Sequence, residues 1–303
     1  MTVTLTRQES RPNTLGAFNR DEPSAITELN KTDEAEVLEF LSQRPIHTVV
    51  MISLIRDNGL LSPSNRGSFY ACRNQDGVLE GVALLGHAIL VEARTANALS
   101  SFARLARNCL NANLIRGEQE TLAGFWKYYA NGGPPPRLTC REMLLELRQL
   151  ELTQPFAPER RTIELRPATL KDLERVLAVN AAMALQEAGI NPMQNDPGGF
   201  RARAERRIEQ GRIWVLTHDD RLVFKADVIA EAPQATYLEG VHVHPEERRK
   251  GYGLDCLASL TTMLLQRTES ICLTVNAKNQ NSLKFYEKAG YQFHSHYETI
   301  YLR

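Results

Sequence analysis

Apolar and polar positions alternate along this chain in a helix–strand rhythm that runs twice. Over 33–41, Val37, Leu38 and Leu41 fall at helical spacing, with Thr32 or Asp33 placed as the N-cap. Stretches 68–73 and 78–93 are rich in β-branched and apolar side chains, and Asp76-Gly77 between them is a strong hairpin signal. A helix over 95–110, a short strand over 114–116, a helix over 122–130 and a strand over 143–147 follow. The run Gly132-Gly133-Pro134-Pro135-Pro136 breaks any regular element before that last strand. Around 150–161 the pattern fades into polar residues with Pro155 and Pro158, the best place for a linker.

The rhythm then resumes. A short strand over 163–166 leads to a helix capped by Thr169 and running to about 187, with Leu170, Leu173, Val176, Leu177, Val179 and Met183 as its apolar stripe. A polar helix over 200–209 precedes strands over 213–217, 222–229 and 235–243 in meander order. Next come a helix over 253–266 with Leu254, Leu257, Leu260 and Leu264 on one face, a strand over 271–276, a helix over 279–289 and closing strands over 291–302. This predicts an α+β fold used twice, each copy a mostly antiparallel mixed sheet flanked by helices. The expected divisions are a flexible arm at 1–22, a first domain at 23–150, a linker at 151–161 and a second domain at 162–303.

Composition narrows the function classes. With 36 basic and 36 acidic residues, the chain has no net field to draw nucleic acid or an anionic membrane. No apolar run approaches the ~20 residues of a membrane-spanning helix, and residues 1–21 lack the apolar core of a secretory signal. Cys72, Cys109, Cys140, Cys256 and Cys272 are scattered without a C-x-x-C pair, which argues against a disulfide framework and structural zinc. The expectation is a cytoplasmic protein with no nucleic-acid, membrane or metal partner.

The chemistry concentrates in the second half. The strand ending in Val241, His242 and Val243 feeds the turn Arg248-Arg249-Lys250-Gly251-Tyr252-Gly253-Leu254, which opens an amphipathic helix. The first amides of a helix lack internal partners, so together with the helix dipole they form an anion site. Gly251 and Gly253 let the backbone approach a phosphate closely, and the three basic side chains add charge at the rim. Neither G-x-x-x-x-G-K-[ST] nor G-x-G-x-x-G is present. Further on, Asn276 ends a strand and Asn279 caps a helix that carries Ser282 and Tyr286. Tyr286 lies about two turns from the cap, so both can face one cleft.

Together these segments resemble the GCN5-related N-acetyltransferase family over about 163–303. The match rests on Arg248-x-x-Gly251-x-Gly253 followed by Asn279-x-x-Ser282-x-x-x-Tyr286, with Pro245 and Ala289-Gly290-Tyr291 also fitting. The first domain looks like a degenerate copy without the R-x-x-G-x-G turn, as in tandem two-domain acetyltransferases. The resemblance implies acetyl-CoA as donor, a small-molecule or peptide amine as acceptor, and direct attack with both substrates bound. It implies pantetheine along 238–243, the diphosphate on 248–254, an oxyanion-stabilising amide near Val241 or His242, and Tyr286 as general acid to the departing thiolate.

A lysine-type acceptor is neutral in only about one molecule in 2500 at pH 7, so it needs a base. Glu239 is the first candidate and His242 the second. A bulge in this strand, common in the family, leaves the facing side chain open. The loop over 189–197 carries one charge, Asp196, which points away from a strongly cationic acceptor. The pairs His242/His244 and His294/His296 lack a third ligand at metal spacing. The reading is an acetyl-CoA-dependent N-acetyltransferase, catalytic in its second domain, with a homodimer left open. The alternative is an acetyl-CoA-binding sensor without turnover.

Overall fold

A computed structural model describes residues 25–149 and 163–302. The expected arm at 1–22 and linker at 151–161 lie outside the described residues. The first half runs β1 (Ala25–Glu28), α1 (Glu34–Ser42), α2 (Pro45–Asn58), β2 (Gly67–Arg73), β3 (Leu79–Gly86), β4 (Ala88–Ala93), α3 (Ala96–Ala106), β5 (Leu114–Glu118), α4 (Gln119–Tyr129) and β6 (Leu138–Arg148). The second half runs β7 (Arg166–Pro167), α5 (Leu173–Ala188), α6 (Pro192–Asn195), α7 (Pro197–Glu209), β8 (Ile213–His218), β9 (Arg221–Glu231), β10 (Ala235–Val243), α8 (Tyr252–Leu264), β11 (Ser270–Asn276), α9 (Gln280–Lys288) and β12 (Gln292–Tyr301).

Among the described residues the strands form one sheet, in the order β1-β2-β3-β4-β5-β12-β6-β11-β10-β9-β8-β7. Each half repeats an antiparallel run that ends in a parallel pair, β4 with β5 and β10 with β11. The closing strands are exchanged. β12 pairs with β5 of the first half, β6 pairs with β11 of the second, and β12 and β6 pair with each other at the centre. The two copies of the fold therefore share their middle strands rather than meeting side to side.

Helix α2 was not foreseen. Its buried residues include Ile46, Val49, Met51, Ile52 and Ile55, and they leave no polar face wide enough to mark an amphipathic helix. The reason is that α2 is buried on two sides. It packs into a core containing Phe69 and Val82 of the first half and Ala230, Tyr237 and Cys272 of the second. Ser53 Oγ on α2 accepts from the Glu231 amide of β9 at 3.1 Å.

Three smaller differences follow from local geometry. Residues 78–93 make two strands, broken at His87, whose amide donates to the Arg66 carbonyl at 2.8 Å in a tight turn where a Cβ on Gly86 would collide with that same carbonyl. The expected closing strands over 291–302 are one strand, with a register shift between Phe293 and Ser295. Asp33, one of the two expected residues, is the N-cap of α1, but its side chain makes no cap bond to that helix; it completes the capping box of a preceding short 3-10 turn whose own cap is Asn30.

Candidate functional site

The second half's parallel pair opens like a V. β10 and β11 pair only at Ala235–Tyr237 against Ser270–Cys272. Beyond Tyr237, β10 turns away from β11, leaving the edge of 238–243 without a strand partner on that side. A bulge accompanies the divergence. Glu239 faces Asp227 and His242 faces Lys225 across β9, so Gly240 and Val241 stand opposite Ala226 alone. Gly240 sits at φ +60, the left-handed conformation of a glycine bulge. An extended chain such as a pantetheine can bond such an edge as an added strand.

The edge leads into the basic turn. Arg249 at φ +62 and Gly251 at φ +94 coil the backbone ahead of α8. No side chain caps the Gly251 N-cap. Among the described residues the amides of Lys250, Gly251, Gly253 and Leu254 have no intramolecular acceptor. Two of the three basic side chains are already engaged. Arg248 Nε donates to the Val243 carbonyl at 3.1 Å, and Lys250 Nζ reaches the largely buried Glu247 carboxylate at 3.1 Å. Arg248 thereby ties the turn to the strand end. Gly253 packs tightly, since a Cβ there would meet Val243 at 2.9 Å and Phe285 at 3.1 Å. Tyr252 begins the helix beside it.

The first half offers no such turn. Only Arg94 and Thr95 separate β4 from α3, and the Thr95 hydroxyl accepts from the Ala98 amide, closing that helix end on itself. The opening between β4 and β5 is crossed by Arg44, whose guanidinium pairs with Glu92 at 3.3 Å and Glu118 at 2.6 Å. The missing sequence motif thus corresponds to a closed helix end and a bridged cleft.

Charged groups from both halves gather beside the second opening. Arg116 of β5 donates from Nη1 to Glu239 Oε1 at 2.9 Å. Its Nη2 reaches the Tyr237 hydroxyl and Thr274 Oγ1, and lies 3.5 Å from Glu142 of β6. Glu187, near the end of α5, faces the same cleft. Its side chain is open to solvent, and the protein crowded around it together with the negative charges of Glu239 and Glu142 hold its pKa above the usual carboxylate range. Among the described residues Glu187 forms no ion pair. Tyr286 lies in the floor, 8% exposed and edge-on to Phe285 and Tyr291. Burial first and Glu187 second push its phenol pKa up, so it stays protonated at neutral pH. Nothing among the described residues hydrogen-bonds its hydroxyl.

The remaining predicted residues have plain positions. Val241 and Val243 are half-buried against the core under α8. The His242 pKa is depressed to about 4 by burial and by Arg248, leaving it neutral but a weak base. The side chains of Asn276 and Asn279 are spent on their own turn, accepting from the amides of Lys278 and Ser282 at 2.9 and 3.1 Å. His294 sits beside Glu146 at 3.9 Å, and no group of three metal-ligating side chains occurs among the described residues. The cleft's carboxylates come from β6, β10 and α5, not from the 189–197 loop that the sequence reading weighed.

Residues 223–300 match the family of FR47-like proteins. No curated protein matches the sequence. An X-ray structure of a Drosophila protein is similar over 92% of this chain and 99% of its own, at 11% identity and a TM-score of 0.66. A tandem GNAT protein from the clavulanic acid biosynthesis pathway, solved without AcCoA, is similar over 92% and 99% at 13% identity and 0.58. A GCN5-related N-acetyltransferase from Sphaerobacter thermophilus is similar over 94% and 98% at 12% identity and 0.57. At these identities the likeness is one of fold, and it spans both halves.

Proposed function

We propose that this chain, which has the tandem fold of the GCN5-related N-acetyltransferases, moves an acetyl group from acetyl-CoA to an amine in its second half. One observation carries the reading. An unpartnered strand edge runs directly into an uncapped helix turn with free amides, on the half that keeps the turn motif. The strand edge suits the amide groups of a pantetheine, and the turn suits a diphosphate. In this reading 162–303 is the catalytic domain, and 23–150 supports it through Arg116 and the exchanged strand β6. The acceptor is a small-molecule or peptide amine, and the setting is the cytoplasm.

The acceptor amine arrives as an ammonium ion, and the cleft meets it with Glu142, Glu187 and Glu239. Of the three, Glu187 is the general base. It has no guanidinium partner and its pKa is raised, whereas Glu239 is bonded to Arg116. Glu187 takes a proton from the ammonium, the free amine attacks the thioester carbonyl, and an amide of the bulged strand steadies the oxyanion. Tyr286 gives its proton to the departing thiolate, and the nitrogen's second proton, released as the amide forms, restores the phenol. Free-thiol release from acetyl-CoA with a panel of amines tests the activity. Glu187→Gln is expected to lower kcat by about 10²-fold or more. Because the deprotonated carboxylate is the active form, wild-type kcat should rise with pH through a value above the usual carboxylate range, and the variant should lose that limb. Saturable acetyl-CoA binding without thiol release for any amine would instead mark a sensor.

A further inference from the structure

The structure assigns a positioning role to a buried ion pair on β9: Lys225, braced by Asp227, holds the β10 bulge in the shape that the acetyl-transfer reading needs. Lys225 is fully buried and Asp227 is 3% exposed. Lys225 Nζ donates to Asp227 Oδ1 at 2.7 Å and to the Gly240 carbonyl at 3.2 Å. Gly240 is the left-handed residue of the bulge. A Cβ added there would lie 2.7 Å from Lys225 Nζ and 3.2 Å from Asp227 Oδ2, so the ammonium fills the hollow side of the bulge.

This arrangement is costly if it serves only stability. Taking a lysine and an aspartate out of water costs several kcal/mol per ion, and apolar residues of similar size often replace such pairs without loss. Neither residue is more than 3% exposed. Their shared product is a fixed carbonyl at the residue where β10 leaves its regular ladder. Fixing that carbonyl also fixes the orientation of the next peptide unit, which carries the Val241 amide. Lys225 therefore acts through the backbone and not by touching a substrate.

This inference rests on the acetyl-transfer reading for its kinetic consequence, but its structural consequence stands alone. Lys225→Met with Asp227→Val removes the donor and both charges while keeping apolar volume. Lys225→Gln with Asp227→Asn removes the charges and keeps an amide donor for the Gly240 carbonyl. A crystal structure of the Met/Val variant is expected to show the bulge between Glu239 and His242 shifted or lost. A bulge preserved in place overturns the proposal, whether or not the protein is active. In thiol-release assays the Met/Val variant should lose at least about tenfold in kcat, with the KM for acetyl-CoA changed much less, and the Gln/Asn variant should recover most of the loss. Equal loss in both variants, or a loss confined to KM, also overturns it. If the Met/Val variant does not fold, Lys225→Met with Asp227→Asn, which also removes the donor and both charges, takes its place under the same two criteria. A wild-type protein that releases no thiol would defeat the activity reading and leave the structural criterion to decide this one.

Discussion

Tyr286→Phe is expected to lower kcat for thiol release by about 10²–10⁴-fold, the usual range for a positioned acid, while leaving acetyl-CoA affinity within a few-fold. The substitution removes one oxygen that no described residue hydrogen-bonds, and the ring keeps its contacts with Phe285 and Tyr291. A merely structural tyrosine would behave differently, costing stability or binding rather than turnover. Isothermal binding and steady-state kinetics on the same preparation separate the two. Unchanged kcat across pH 6–9 would remove Tyr286 from the acid's role.

The second large effect concerns the joint between the halves. Arg116→Met is expected to cost about 3 kcal/mol, the low end for breaking a buried pair, because the guanidinium is about one-fifth exposed. The loss leaves Glu239 and Glu142 facing each other without their shared cation, and it strips hydrogen bonds from Tyr237 and Thr274. At about 2–4 °C per kcal/mol, the melting temperature should fall by roughly 6–12 °C. Arg116→Lys restores only part, since one ammonium cannot replace a planar fork that serves several acceptors. A melting temperature within about 2 °C of wild type would show that Arg116 does not tie the halves together.

Legibility in the sequence divides along a physical line. Features written in contiguous residues could be read: the hairpin at Asp76-Gly77, the strand feeding the 248–254 turn, the Asn279 cap and the absence of that turn in the first half. Features made by distant segments could not. Arg116, Glu142 and Glu187 come from β5, β6 and α5, and nothing near any of them in sequence marks it as joining the charged cluster around Glu239. The exchange of β6 and β12 was equally hidden, because each strand's alternation fits either half. Helix α2 was missed because burial between two halves erased its polar face. Lys225 and Asp227 lie inside the expected strand over 222–229, where their spacing alone marks no role. The pair's meaning appears only when β10 bulges over it.

The free amides at the N-terminal turn of α8 are the centre of the account, and calorimetric titration of the intact chain with CoA, set beside pantetheine, tests them most directly. The expected result is one CoA bound per chain, and pantetheine bound at least about a hundredfold more weakly, since two charge-assisted contacts of about 1.5 kcal/mol each supply that ratio. Equal affinity for the two ligands, two CoA per chain, or no binding at all would contradict it.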